Sequence, residues 1–398
     1  MSVAIVVVRS RSIHDILYKP SKSILWKHMS KKAPSTNPTS TAPMQSTEVW
    51  VTRPNVANLT STLQAHALFI ILVVCYAVAG YVVAWIYDAT EIMSLSSLYN
   101  RNLALVSACF LMVFLCGHAI YVMIFVRPEH LTRHILSDLR NNYFNARRIL
   151  IALPILVFMP VFISVFTSFK TMIPVIHPYS WDPVFAKWDS ALHGGIQPWE
   201  LLQPLLGNPF ITSIINFFYN LWFFVMYGVL LWQTFCMHSL RLRMQFFLTF
   251  IGCWALLGNV AATFFSSVGP CYYGRATGLT DPFQPLMEYL WAANQYFPVW
   301  SLDVQEMLWD TYEKGGIGFG SGISAMPSIH VSMVFLFALV GWKTGRVLGI
   351  LFTVFAVLIV IGSVHLGWHY AIDDYAAILG TWLIWWGVGL LLNRHDAS

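Results

Sequence analysis

Charged residues are absent from eight long stretches of this chain. They are Ala67–Tyr87, Asn102–Val126, Ile149–Phe169, a part of Leu201–Leu240, Met244–Gly274, Gly315–Trp342, Val347–Ile372 and Tyr375–Asn393. A bilayer core takes about 20 apolar residues per crossing helix, so each stretch predicts one span. The fourth to sixth exceed that length and trim to Pro209–Gln233, Gln245–Ser267 and Met326–Trp342. Irregular backbone cannot face lipid, and a closed barrel would show alternating strands of about 10 residues, so the spans are helices. The expected fold is an all-α polytopic membrane protein with about eight transmembrane helices.

Composition agrees with the pattern. Hydrophobic residues are 57% of the 398, and charged residues only 10%, against about 25% in a soluble domain. That excludes a soluble enzyme, a disordered chain and a fibrous repeat. The net charge of +5 suggests an anionic partner only until it is divided between the two sides. With eight spans, one side collects 18 basic and 5 acidic residues, the other 5 and 13. Basic residues mark the cytoplasmic side, so both termini are expected there. The long connections Thr171–Asn208 and Val268–Ala325 are then expected on the outer, periplasmic or lumenal face.

Residues 1–65 read as a different material. Pro34–Thr47 is rich in Ser, Thr and Pro without apolar period, which predicts a disordered arm. Its basic residues suit the surface of an anionic membrane. Val3–Val8 is too short for a span and lacks a cleavage site after it, so no signal peptide is expected. The six cysteines form no CxxC pair and no disulfide framework, which argues against redox chemistry and a Cys-ligated metal.

Candidate chemistry gathers at the outward ends of the last three spans. One segment reads Gly322-Ile-Ser-Ala-Met-Pro-Ser-Ile-His330, the other Gly362-Ser-Val-His365-Leu-Gly-Trp-His369-Tyr-Ala-Ile-Asp373-Asp374. Pro327 suits the first turn of the sixth span. The amides of Ser328 and Ile329 would then be unpaired beside a positive helix end, where a phosphate-like anion binds. His369 and Asp373 are four apart and share a face if the eighth helix begins near His369. The carboxylate would hold one ring nitrogen and leave the other as nucleophile or base. His330, from another helix, could give a proton to a leaving oxygen.

These residues carry a resemblance. Pro327-Ser328-Ile329-His330 resembles the PSGH-type motif of the type 2 phosphatidic acid phosphatase superfamily, and His369-Tyr-Ala-Ile-Asp373 resembles its final HxxxD motif. The resemblance covers about residues 150–390. It implies that the last six helices form a phosphatase/phosphotransferase-like bundle, with His369 as nucleophile, Asp373 as its orienting partner and His330 as general acid. It implies no metal and no cofactor. The organisation expected is an arm at 1–65, two accessory spans with a basic loop at 66–148, and a catalytic membrane domain at 149–393.

The chain also departs from the superfamily pattern. The first motif, a Lys followed by Arg-Pro, is absent from the expected outer face, since Arg53-Pro54 and Arg127-Pro128 fall on the other side. Gly362-Ser363 replaces the Ser-Arg pair before the last His. Two phosphate-clamping cations are therefore missing. That is similar to the branch holding inositol phosphorylceramide synthase and the sphingomyelin synthases, whose triads are His, His and Asp. Trp188–Trp199 and Gly269-Pro-Cys-Tyr-Tyr273 also resemble bacterial relatives of that branch. The activity this implies is transfer of a phospho head group from a membrane lipid phosphoester to a lipid alcohol. Hydrolysis of phosphatidic acid or a polyprenyl diphosphate is the alternative.

Arg275, an outer cation in the loop before the site, is the candidate replacement clamp, because guanidinium matches phosphate in a bidentate way. Ser328 and His365 are candidate head-group contacts. Asp374 is read as an acid favouring the positive helix end, and the stretch Pro183–Glu200, with Asp189 and His193, as an amphipathic helix on the lipid surface. Two rival classes remain. A transporter would place ionisable residues along a pathway, whereas here they cluster at one surface. A metal-dependent hydrolase would use His330, His365, His369 and Asp373 as ligands. No nucleic-acid partner is expected.

Overall fold

The computed structural model describes residues 59–93, 97–315 and 322–397. Residues 1–58 of the expected arm lie outside the described residues. The arm's last stretch is a short helix, α1 (Leu59–Ala65), seated by the fully buried Thr62. Every regular element among the described residues is helical.

Among the described residues, seven helices are long and apolar enough to cross a membrane. They are α2 (Ala67–Ile86), α3 (Ser97–Tyr121, continued by a wide turn over Val122–Val126), α5 (Ala146–Ile176), α8 (Pro209–Phe235), α9 (Leu240–Gly252, prolonged to Phe264), α14 (Arg346–His365) and α15 (Ala371–Ala397). Between α3 and α5 lies α4 (Leu131–Asp138). Connections at one end carry α6 (Asp182–Leu192), α7 (Pro198–Leu206), α10 (Tyr273–Thr277), α11 (Gln284–Asn294) and α12 (Trp300–Glu313).

The eighth expected span, α13 (Ile329–Thr344), has only 16 residues, or about 24 Å of helix. Val331, Met333, Val334, Leu336, Phe337 and Val340 are all fully buried on it. Protein surrounds it instead of lipid, so bilayer thickness does not set its length. The lipid-facing positions are on the periphery, where Trp85 of α2 and Val113 of α3 are more than two-thirds exposed.

Local signals set the helix ends. Asn145, Asn208, Ser239 and Ser328 each cap a helix by accepting a backbone N–H through the side chain. α5 runs 31 residues through Pro154, Pro160 and Pro174. At about 46 Å it outreaches a bilayer core and carries Lys170 to the end where the connections gather.

The seventh and eighth spans end and begin elsewhere than hydropathy suggests. α14 stops at His365, not Ile372, and α15 starts at Ala371, not Tyr375. Gly367 adopts φ +73°, a left-handed turn that ends helices, and the amides of Trp368 and His369 fold back onto the Ser363 carbonyl. Asp373 and Asp374 therefore lie inside the first turns of α15.

At the opposite end, Arg243 is buried. Its guanidinium donates to the Gln233 carbonyl (2.9 Å), to His66 Nε2 (2.8 Å) and to the Ile151 carbonyl (2.9 Å). His66 Nδ1 in turn donates to the Thr62 carbonyl at 2.8 Å. Four segments of chain meet on one cation.

Candidate active site

The loop Leu366–Tyr370 is held from three sides. The Cys271 amide donates to the Gly367 carbonyl at 2.8 Å, and Gln305 Nε2 from α12 donates to the Leu366 carbonyl at 3.0 Å. Gly269, at φ +92°, approaches from the third side; a Cβ there would stand 2.5 Å from the Trp368 carbonyl oxygen. This turn accepts glycine alone, in conformation and in space.

The loop delivers His369 to Asp373 from outside the helix. His369 precedes α15 and does not share its face, as the sequence reading supposed, yet its Nδ1 lies 3.3 Å from Asp373 Oδ2. The same oxygen accepts the Tyr370 amide at 3.0 Å, which fixes the carboxylate. With Nδ1–H turned to the acid, Nε2 keeps its lone pair. Burial pulls the His369 imidazole down to about 4; Asp374 opposes this, Lys170 adds to it, and a hydrogen bond to the Ala325 backbone opposes it. The ring is neutral at neutral pH and can attack without first losing a proton.

His330 enters from the first turn of α13. Its ring centroid is 6.2 Å from that of His369. Trp222 (4.1 Å) and Tyr219 (5.2 Å) of α8 pack on it, and Trp222 Nε1 also donates to the His330 carbonyl. Ser328 caps α13 through Oγ. Its amide is not free for an anion as expected, because it donates to the Asp373 carbonyl at 3.3 Å. Pro327 lies before the cap and outside the helix, behind a cis Met326–Pro327 bond. Ser328 therefore ties α13 to α15, bringing His330 to the same place as His369 and Asp373.

The stretch Pro183–Glu200, expected as one amphipathic helix on the lipid surface, differs in form. It is two helices, α6 and α7, and the acids of α6 point inward. Asp189 accepts from the Ala371 amide (2.7 Å) and the Ile372 amide (2.9 Å), capping α15 from another element. Asp182 accepts from the amides of Val268 and Gly269 and from the Tyr370 hydroxyl. Burial pushes both carboxyl groups up, and these N–H donors oppose it. His193 Nε2 reaches the Tyr375 hydroxyl at 3.0 Å. The signal available in the sequence was Asp182 and Asp189 seven residues apart, two helical turns on one face with Phe185 and Ala186 between.

Two candidate contacts lie apart from this group. Arg275 gives its guanidinium to Glu306 in a bidentate pair at 2.6 and 3.0 Å, so the proposed clamp is already occupied. His365 Nε2 meets Thr212 Oγ1 at 2.9 Å, and Thr212 meets the Tyr289 hydroxyl at 2.7 Å. That directs His365 to α8 and α11, away from the grouping of His330, His369 and Asp373. Asp374 lies in the first turn of α15, as its reading as a helix-end acid requires, and its Oδ2 is also 2.5 Å from Ser363 Oγ.

Lys170 is the cation the sequence reading missed. Its charge acts on both His330 and His369, and among the described residues it has no ion-pair partner. The loop beginning at Gly322 passes directly against it. Gly322 has φ +91°, and a Cβ there would fall 2.8–2.9 Å from the Lys170 backbone. His177-Pro178 follows Lys170 at the end of α5. A small cavity beside His369 is walled by Asp189, Pro198, Trp199, Pro270, Phe283, Val364 and Tyr370, so α6, α7, the 270 turn and the residue before α11 cover the site.

No curated protein and no solved structure matches this chain. A family model does. It is described as the PAP2 superfamily and spans residues 184–387, just over half of the 398, including α6 from its third residue and every segment that supplies His330, His369 and Asp373. With its apolar helices, the chain belongs to the PAP2 superfamily, membrane-embedded phosphatases and phosphotransferases of lipid phosphoesters.

Proposed function

We propose that the protein transfers a phospho head group from a membrane lipid phosphoester to a lipid alcohol through a phosphohistidine on His369. The observation that carries this reading is the 6.2 Å spacing of two imidazoles, one of them oriented by a buried carboxylate. His369 Nε2 attacks phosphorus, the bond from phosphorus to the leaving oxygen breaks, and His330 gives that oxygen its proton. The acceptor hydroxyl then returns a proton to His330 as its oxygen displaces Nε2 from phosphorus. Asp373 keeps the His369 tautomer and stabilises the charge that develops on the ring. Lys170 faces the phosphoryl oxygens.

Two features favour an alcohol over water. His369 is only 6% exposed, and Pro198, Trp199, Pro270, Phe283 and Val364 share the lining of the small cavity beside it with Asp189 and Tyr370, which restricts access of water. Among the described residues Lys170 is the cation whose charge acts on both histidines, and a site with fewer cations suits a singly charged phosphodiester better than a doubly charged monoester. The placement of basic residues supports both termini on the cytoplasmic side, with the site on the other face. The test is purified protein in nanodiscs incubated with a lipid-extract panel, with new phospholipids and free phosphate read by mass spectrometry. New phospholipid from the wild type, and none from His369→Ala, is the expected result. Unchanged turnover in His369→Ala would end the phosphohistidine reading; free phosphate alone would replace transfer by hydrolysis.

A further inference from the structure

Asp374 is a buried acid to which the mechanism above gives no task. It is fully buried, and the amides it could cap are taken. Those of Ala371 and Ile372 donate to Asp189, and that of Asp373 to the Tyr370 carbonyl. Its Oδ2 lies 2.5 Å from Ser363 Oγ, and Ser363 Oγ lies 2.7 Å from the Val360 carbonyl oxygen. A carbonyl oxygen only accepts, an ionised carboxylate only accepts, and a serine hydroxyl has a single hydrogen. With Asp374 ionised, one of these two contacts would have no hydrogen in it.

The count closes if Asp374 carries the proton. Its O–H donates to Ser363 Oγ, and the serine hydrogen goes on to Val360. Oδ1 is buried without a partner, as Asp373 Oδ1 also is, so the hydrogen count at Ser363 is what distinguishes Asp374; the Ser328 side chain is its other hydrogen-bonding neighbour. A bare carboxylate oxygen out of water is far more costly than the carbonyl oxygen of a neutral acid. The charged or titratable groups around it are His369 in the preceding loop, Asp373 on its own helix and Tyr219 on α8.

We infer that Asp374 is held as a neutral carboxylic acid and serves as a positioning residue, fastening the start of α15 to the last turn of α14 beside His369. As a neutral group it does this without setting a second negative charge next to Asp373, where an anionic phosphoryl group has to approach. Ser363 stands where the superfamily pattern has Arg, so a hydrogen-bonded acid–hydroxyl pair occupies the place of a cation.

The effect on turnover rests on the phosphotransfer reading; the protonation state does not. Infrared difference spectra of the full chain in nanodiscs, wild type minus Asp374→Asn at neutral pH, should show a protonated-carboxyl C=O stretch in the wild type alone. A spectrum without that band overturns the inference. Asp374→Asn, whose Nδ2–H can donate to Ser363 as the acid does, should keep turnover within about threefold, while Asp374→Ala loses roughly tenfold or more. Equal losses in the two variants would also overturn it. A band present in protein that turns over no lipid phosphoester would sustain the neutral acid and remove the proposed activity instead.

Discussion

Asp189 offers the most direct test of how the site is held. Its carboxylate, 1% exposed, accepts from two amides at the start of α15, at 2.7 and 2.9 Å. Hydrogen bonds to a charged partner contribute about 1.5–3 kcal/mol each. Asp189→Ala removes both and leaves two N–H groups buried without acceptors, so a loss of about 3–5 kcal/mol in stability is expected after relaxation. The same amides belong to the turn that positions His369 against Asp373. A displacement there of about 1 Å should cost on the order of 10²-fold in turnover. Thermal unfolding in nanodiscs followed by tryptophan fluorescence gives the first quantity, and head-group transfer gives the second. Asp189→Asn keeps one acceptor oxygen and should fall between. If α6 merely rested on a lipid surface, its exposed Leu192 (64%) would matter more than Asp189. Wild-type stability and turnover in Asp189→Ala would refute the capping argument.

Further predictions concern charge. Lys170→Met should lower kcat/KM by roughly 10–100-fold with unfolding unchanged, and Lys170→Arg should restore part of it; equal kcat/KM in Lys170→Met and wild type would remove the cation from the site. Arg275→Ala should cost less than about 1 kcal/mol of stability, because both members of its ion pair are about 40% exposed, and should leave turnover within about threefold. A hundredfold loss would reinstate Arg275 as a clamp. His369, neutral down to about pH 4, should keep the nucleophile active as pH falls through 6.5 and lose it near 4, in a pH–rate profile measured on kcat/KM. Its folded value lies below the ordinary 6.5, so the unfolded chain binds more protons in that window. Stability is therefore full above about 6.5 and falls as pH drops from there towards 4. An acid limb near 6.5 would contradict the burial of the ring.

The spans were legible because bilayer thickness imposes one length on every lipid-facing helix. That rule does not set the bounds of α13, which is mostly buried in protein, so hydropathy trimmed it to Met326–Trp342 where the helix runs Ile329–Thr344. The convergence of His330, His369 and Asp373 was also legible, since alternating charge places their segments at one end. Their register was not. Gly367 stops α14 seven residues before the apolar stretch does, and no periodicity marks that turn. Lys170 was hidden by its position in a helix that overshoots the membrane. Asp189 reads as a surface acid because the groups it satisfies, backbone amides on another element, leave no trace in side-chain patterns.

The Arg243 junction sets a limit on dissection. The segment matched by the family begins at residue 184, which invites the view that what precedes it is an attachment. Arg243 lies within that segment, but two of its hydrogen-bond acceptors, His66 and Ile151, lie before it. Cutting the chain at 184 would remove two of the three acceptors, and cutting at 149, the expected domain boundary, would remove His66, leaving a buried guanidinium short of the partners that make its burial tolerable. The turn at His66, just before α2, supplies no catalytic group, yet it completes the polar junction inside the bundle that carries the site.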